Sequence, residues 1–150
     1  LTDNAALIAL TVPQLDVDEG FRAKAYLDTR GIPTIGWGRA DGTVRLGQVT
    51  TEAAEAAWRD AKLNSLCDGL DAAIPWWRNM NMVRQSAALN LAYNRGVHGL
   101  LEFTHFVAFL KAGSYTAAAV ELRHTQPWAS QVGDRAQRLA DAFRTGVAPA

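Results

Sequence analysis

The chain has a single cysteine in 150 residues, no excess of either charge and no long apolar run. Cys67 alone cannot close an intramolecular disulfide, so a disulfide-stapled secreted scaffold is excluded. Its Ala- and Leu-rich surroundings read as a helix, where a lone thiol is a small core residue rather than a nucleophile. Fifteen Lys and Arg balance fifteen Asp and Glu. A nucleic-acid binder carries a basic excess, so no nucleic-acid partner is expected, and attraction to an anionic partner must come from a local patch. The apolar run from Ala5 to Val12 is interrupted by Thr11 and stopped by Pro13. It is too short to span a bilayer and lacks the basic flank of a signal peptide, so no integral membrane segment is expected. There is no Walker or dinucleotide glycine fingerprint. No His-Glu-x-x-His or Cys-x-x-Cys spacing occurs, and His98, His105 and His124 fall on different expected elements. A zinc site needs three or four converging ligands, so neither a metal nor any other cofactor is expected, and zinc-dependent hydrolysis is disfavoured.

What is present is globular composition, 49% hydrophobic and 20% charged, of a length that suits one domain. Thr2 is a plausible cap for a helix carrying Ala5, Leu7, Ile8 and Leu10, which Pro13 ends or restarts. A short helix over Gln14 to Glu19 with Gly20 as its C-cap follows. Six of the twelve glycines lie between Gly20 and Gly47, so the backbone there bends sharply or is closely approached. Tyr26-Leu27-Asp28, Thr29-Arg30-Gly31 and Thr34 to Gly38 read as strand, turn, strand, and Asp41-Gly42 as a turn into a third short strand at Thr43 to Leu46. Beyond Thr50-Thr51 the chain is helical: a long helix to about Ala73 broken by Pro75, one from Asn81 to Arg95 ended by Gly96, then Phe103 to Lys111, Tyr115 to His124 and Arg135 to Phe143. The layout is α+β. A β-rich lobe near 20–50 and a linking helix near 51–73 lead to a helical lobe over 75–146, which also takes the N-terminal helix. Together they form a single domain over 1–150.

Three side chains in the turn-rich region carry chemistry. Glu19 sits where a helix ends, and the negative end of the helix dipole favours the protonated form that a general acid needs. Asp28 ends the first strand, and Thr34 can hold a hydroxyl near it across the hairpin. Two carboxyls in unlike environments suit glycoside cleavage, and a carboxylate with a hydroxyl can hold one water in place. Singly, each has an ordinary structural explanation: a solvated helix end, a turn-forming Asp and a strand Thr.

The run Asp18-Glu19-Gly20-Phe21 through Tyr26-Leu27-Asp28 to Gly31-Ile32-Pro33-Thr34-Ile35-Gly36-Trp37-Gly38 resembles the signature of phage-type lysozymes, the endolysins of glycoside hydrolase family 24. That pattern is Glu-Gly, a Tyr-x-Asp strand, then Gly-x-x-Thr-Ile-Gly-x-Gly. Trp128, Asp134-Arg135-Ala136 and Phe143-Arg144-Thr145-Gly146 resemble the family's closing helix, and Tyr93-Asn94-Arg95-Gly96 its cleft-lining segment. The resemblance implies a two-lobed fold with a cleft, and a monomer. It implies Glu19 as the acid, Asp28 as base or electrostatic stabiliser, and Thr34 as the group that helps place a water. It implies Asn94, Trp128 and Arg135 along the substrate, with Arg135 paired to Glu19. The implied substrate is peptidoglycan, cut with inversion between N-acetylmuramic acid and N-acetylglucosamine. The implied setting is phage lysis of a bacterial host, with synthesis in the host cytoplasm and action in the periplasm. The alternatives are a lytic transglycosylase, a virion-borne lysozyme and an inactive wall-binding domain. Two departures stand out: Arg39 occupies a place where many members carry His, and the chain is neutral. Arg22, Lys24, Arg30 and Arg39 could form a local basic rim. Trp58, Trp76 and Trp77 are expected in the core or at the lobe junction, with Trp37 under the hairpin. Trp128, in a loop, is the best aromatic for sugar stacking. Arg84, Arg95, Arg123, Arg138 and Arg144 read as solvated helix faces.

Overall fold

Leu7, Thr11 and Leu15 recur at helical spacing and are buried along one stripe of α1 (Ala5–Glu19). The computed structural model describes residues 4–148. The expected cap Thr2 lies outside the described residues; Asn4 stands at the cap without a side-chain bond. The helix runs unbroken through Pro13, where an end or restart is expected. Proline removes the N–H that would reach the carbonyl of Ala9. Both Pro13 and Ala9 lie on the exposed side, so solvent can take that carbonyl. Gly20 closes the helix, donating its N–H to the Asp16 carbonyl at 3.1 Å.

Strands β1 (Arg22–Leu27) and β2 (Pro33–Gly36) pair antiparallel, with Tyr26 opposite Thr34 and Arg22 opposite Gly36. Ala25, Ile35 and Val44 form a small core of their own beneath them. The third strand expected at Thr43 to Leu46 is absent, because side chains occupy that backbone. Asp41 Oδ1 accepts from the Thr43 N–H, Gln48 Oε1 from the Arg45 N–H, and Arg45 donates to the Gly42 and Val44 carbonyls. The chain rejoins β1 a few residues later through a single Lys24–Val49 bridge.

Helix α2 (Glu52–Ala73) leaves this lobe with Thr51 as N-cap, its hydroxyl accepting from the Ala54 N–H. A 3-10 turn over Pro75–Asn79 leads into α3 (Met82–Leu101), capped by Asn81. Gly96 kinks α3 with φ 75° and ψ 163°, a conformation open to glycine alone, so the expected stop is a break after which the helix resumes. Helices α4 (Thr104–Lys111), α5 (Tyr115–Arg123), α6 (Trp128–Val132) and α7 (Asp134–Thr145) complete the described residues. Leu7, Leu15, Leu63, Leu70, Trp77, Leu89, Leu91, Phe106, Leu122 and Phe143 pack into one core, with Phe106 edge-on to Phe143 at 5.0 Å. Cys67 is buried in it, and burial pushes its thiol up to about 11, as suits an inert packing residue. No described helix is long and apolar enough to cross a membrane.

Two arginines expected on solvated faces are structural. Arg84 lies 3.7 Å over the Tyr115 ring and donates to the Phe143 and Arg144 carbonyls, satisfying the end of α7. Arg138 is ion-paired to the buried Asp18. Arg39, expected on a basic rim, instead clamps the hairpin lobe onto α2. Its Nε and Nη2 donate to the two oxygens of buried Glu55 at 2.9 and 2.8 Å, and Thr50 donates to the same carboxyl. The Arg39 guanidinium holds Glu55 below its usual 4.5, against burial, which raises it. Because the folded value is the lower one, the pair contributes fully above pH 4.5 and the contribution is lost as pH falls through the folded value. Tm is expected to fall on acidification below pH 4.5, and Glu55→Gln to flatten that part of the curve. Identical acid limbs in melts of the two proteins would refute the assignment.

Candidate active site

Glu19 is the last residue of α1, and its carboxyl is gripped from two sides. Arg135, the second residue of α7, donates from Nη1 to Oε1 at 2.6 Å. The other oxygen lies against the backbone of Gly38: a Cβ added there would sit 3.0 Å from Oε2. At Gly36 a Cβ would sit 2.6 Å from Glu55 Cγ, and both glycines hold positive φ, +64° and +84°. The Gly36-Trp37-Gly38 stretch is thus two close approaches, one to the lobe clamp and one to Glu19, in a backbone shape that side chains resist. Trp37 between them is buried, stacked under Arg59 at 3.9 Å and against Phe21 at 4.8 Å. Its carbonyl accepts from the Tyr93 hydroxyl at 2.6 Å. Burial, reinforced by the charge of Glu19, pushes that phenol well above its ordinary value, so it stays a donor.

Asp28 and Thr34 are joined through one residue. The Ile32 N–H donates to Asp28 Oδ1 at 2.9 Å, and the Ile32 carbonyl accepts from the Thr34 hydroxyl at 2.9 Å. The Arg30 N–H also donates to Asp28 Oδ1, at 2.8 Å. These backbone donors, Ile32 first, hold the Asp28 carboxyl below its ordinary value and keep it ionised. Both bonds go to Oδ1, which leaves Oδ2 as an acceptor. Thr34 is buried and spends its proton on Ile32, which leaves its oxygen lone pairs for an incoming donor. The turn-forming role of Asp28 and its candidate chemical role therefore coexist. Glu19 meets the same hairpin two residues past β2, at Gly38.

Behind Glu19 lies a buried polar network that joins α1, α3 and α7. Arg135 Nε and Nη2 donate to Asn90 Oδ1 at 3.0 and 2.8 Å. Asn90 Nδ2 donates to Asp18 Oδ2 at 2.9 Å and to Gln14 Oε1 at 3.2 Å. Gln14 donates to Ser86, whose hydroxyl bonds that of Thr11 at 2.8 Å. Asp18 also takes Arg138, and Arg135 Nε lies 3.4 Å from its other oxygen. Arg135, expected along the substrate, is instead 5% exposed, with its donors committed to Glu19 and Asn90. Trp128 is likewise buried, at 2%, and begins a short helix rather than lying in a loop. Its ring packs on Phe103, and Nε1 donates to Asn94 Oδ1 at 2.7 Å, so it orients Asn94 instead of presenting a face to a sugar. Asn94 is exposed and keeps its amide NH2 as a free donor pair.

Sequence alone gives Asp18 and Asn90 no role and puts Arg138 on a solvated face. A signal existed: Asp18 follows Leu7, Thr11 and Leu15 on the buried stripe of α1, and Ser86 and Asn90 repeat at i, i+4 within a fully buried stretch of α3. A cavity of about 450 Å³ opens beside the network at Pro13, Val17, Asp18 and Arg138, and its lining includes none of Glu19, Asp28 and Thr34. Among the described residues no three His, Cys, Asp or Glu gather as metal ligands, and His98 meets only Glu102, at 3.3 Å.

The family described as phage lysozyme matches residues 17–141. The pre-baseplate central spike protein Gp5 of Enterobacteria phage T4 is 29% identical over 86% of this chain and 26% of its own length. A protein named probable T4-type lysozyme 2, of Dictyostelium discoideum, is 23% identical over 89% of this chain and 92% of its own. The chain thus spans about a quarter of the spike protein and nearly all of the amoebal one.

Proposed function

Since this chain belongs to the phage lysozyme family, we propose that it is a muramidase that hydrolyses the β-1,4 bond between N-acetylmuramic acid and N-acetylglucosamine in peptidoglycan. The observation that carries the reading is that two unlike carboxyls are set against one hairpin: Glu19, at the end of α1, wedged between Arg135 and Gly38, and Asp28, just after β1, kept ionised by backbone N–H groups and linked through Ile32 to the Thr34 hydroxyl. Glu19 Oε1 accepts from Arg135, so the transferable proton belongs on Oε2. That proton goes to the glycosidic oxygen as the bond to the anomeric carbon breaks. A water held between Asp28 Oδ2 and the Thr34 oxygen attacks the same carbon from the opposite face and gives its proton to Asp28. Arg135 and Asn90 keep the acid in place, and Asn94 supplies an amide donor to the sugar. No step calls for a metal or cofactor.

The decisive experiment is the anomeric form of the fresh product, read by NMR within the first turnovers. The α-anomer is expected. A β-anomer would remove the water from Asp28 and Thr34, and a 1,6-anhydro sugar would make the protein a lytic transglycosylase. The setting we propose is phage lysis of a bacterial host, with synthesis in the cytoplasm and action on the wall in the periplasm. The similarity to part of a phage spike protein favours a second setting for the same chemistry, a domain carried on the particle. Mass spectrometry of purified virions separates the two.

A further inference from the structure

The neutral chain is not neutral everywhere. Between residues 20 and 50, Arg22, Lys24, Arg30, Arg39 and Arg45 face only Asp28 and Asp41, so the hairpin lobe is cationic and the remainder acidic. Arg39 is consumed by Glu55, and Arg45 is tied to backbone carbonyls. Arg22 and Lys24 are exposed on β1 and make no ion pair among the described residues. The Arg22 guanidinium lies 4.2 Å over the Tyr26 ring, so the two share a face of the strand. Tyr26 is directly opposite Thr34, and residues directly opposite across an antiparallel pair also share a face. Lys24 lies between Arg22 and Tyr26. The pairing is irregular between Arg22 and Tyr26, so what is fixed is that two exposed cations free of ion pairs lie on the strand paired with the one that carries the Thr34 hydroxyl.

We propose that Arg22 and Lys24 form a subsite for the carboxylates of the peptide stems on the glycan strand, a specificity element that rests on the muramidase reading. Guanidinium groups take carboxylates in a fork. The Tyr26 ring already orders Arg22, which lowers the cost of fixing it on binding. Two cations are fewer than the cluster of about four to eight that anionic lipid recruitment uses, and their place on the strand paired with that of Thr34 suits a polymer threaded through the site.

The test is co-sedimentation with purified sacculi in the Glu19→Gln background, so that binding is read without cleavage. Sacculi with free carboxylates are compared with sacculi whose carboxylates are capped as amides. Arg22→Gln/Lys24→Gln is expected to bind untreated sacculi about tenfold more weakly, the scale of two exposed charge pairs. Capping should cost the parent a similar factor and the double variant almost nothing. Raising salt from about 0.02 to 0.2 M, which shortens the screening length severalfold, should erase the difference. Lys62→Gln/Lys111→Gln, exposed cations on α2 and α4, is the control. Equal sensitivity to capping in parent and double variant overturns the proposal. So does an equal loss in the control pair, or a loss seen only with anionic phospholipid vesicles. Binding that needs Arg22, Lys24 and free carboxylates, in a protein whose Glu19 form leaves sacculi uncut, would keep the subsite and sink the muramidase reading; hydrolysis with carboxylate-blind binding would do the reverse.

Discussion

Glu19→Gln is expected to lower kcat on sacculi by about 10²–10⁴-fold, the usual contribution of a positioned general acid, with KM within a few-fold of wild type. The substitution removes the transferable proton and the charge paired with Arg135, and keeps the shape and the oxygen acceptor. A glutamine oxygen still accepts from Arg135 Nη1, and an isosteric amide fits against Gly38, where a longer or branched group would not. Tm should therefore move by only a few degrees, and that is the control separating lost chemistry from lost fold. Release of soluble muropeptides and a thermal melt on the same preparation provide both readouts. Activity within tenfold of wild type would return Glu19 to its bland role as a helix end.

Arg135→Met is expected to have the largest effect on stability. Its guanidinium is 5% exposed and serves Glu19, Asn90 and Asp18 together. Methionine fills similar volume but leaves the Asp18 carboxylate, whose side chain is 3% exposed, with Arg138 and the Asn90 amide alone. Removing one partner from a buried ionic cluster costs about 3–5 kcal/mol, which for a chain of this size lowers Tm by roughly 10–15 °C. Arg135→Lys keeps the charge but loses the fork that spans Nε, Nη1 and Nη2, so its loss should be intermediate. Urea unfolding at neutral pH measures both. A loss under about 1 kcal/mol for the methionine variant would mean that Asn90 and Arg138 hold Asp18 unaided, and that the network does not depend on Arg135.

The local elements were legible wherever a short-range rule decides them. Thr51 before Glu52 and Glu55 starts α2, and Asn81 starts α3, because a side-chain oxygen beside an orphan N–H is a local arrangement. The Tyr26–Thr34 hairpin follows from the turn residues between its strands. The exceptions lie where solvent exposure or a side-chain partner, near or far along the chain, overrides the local pattern. Pro13 sits inside a helix because its side of α1 faces solvent, which no window around Pro13 reveals. The segment at Thr43 to Leu46 has strand-like residues, but Asp41 and Gln48 take its N–H groups first. Arg39, Arg84 and Arg138 look like surface charge until Glu55, the end of α7 and Asp18 are brought to them.

By itself the sequence determined the α+β order of elements and the core helices, and it singled out Glu19, Asp28 and Thr34 as candidates, since spacing along a chain and the chemistry of a side chain are properties of the chain alone. Only the tertiary structure decided what surrounds them. Arg135 is 116 residues from Glu19 and Asn90 is 72 from Asp18, yet burial makes those pairings obligatory, because a charge taken out of water must find its partner wherever the fold brings one. The same reason turned Trp128 from a sugar platform into the support of Asn94: a large ring gains most by burial, and its N–H then has to be met.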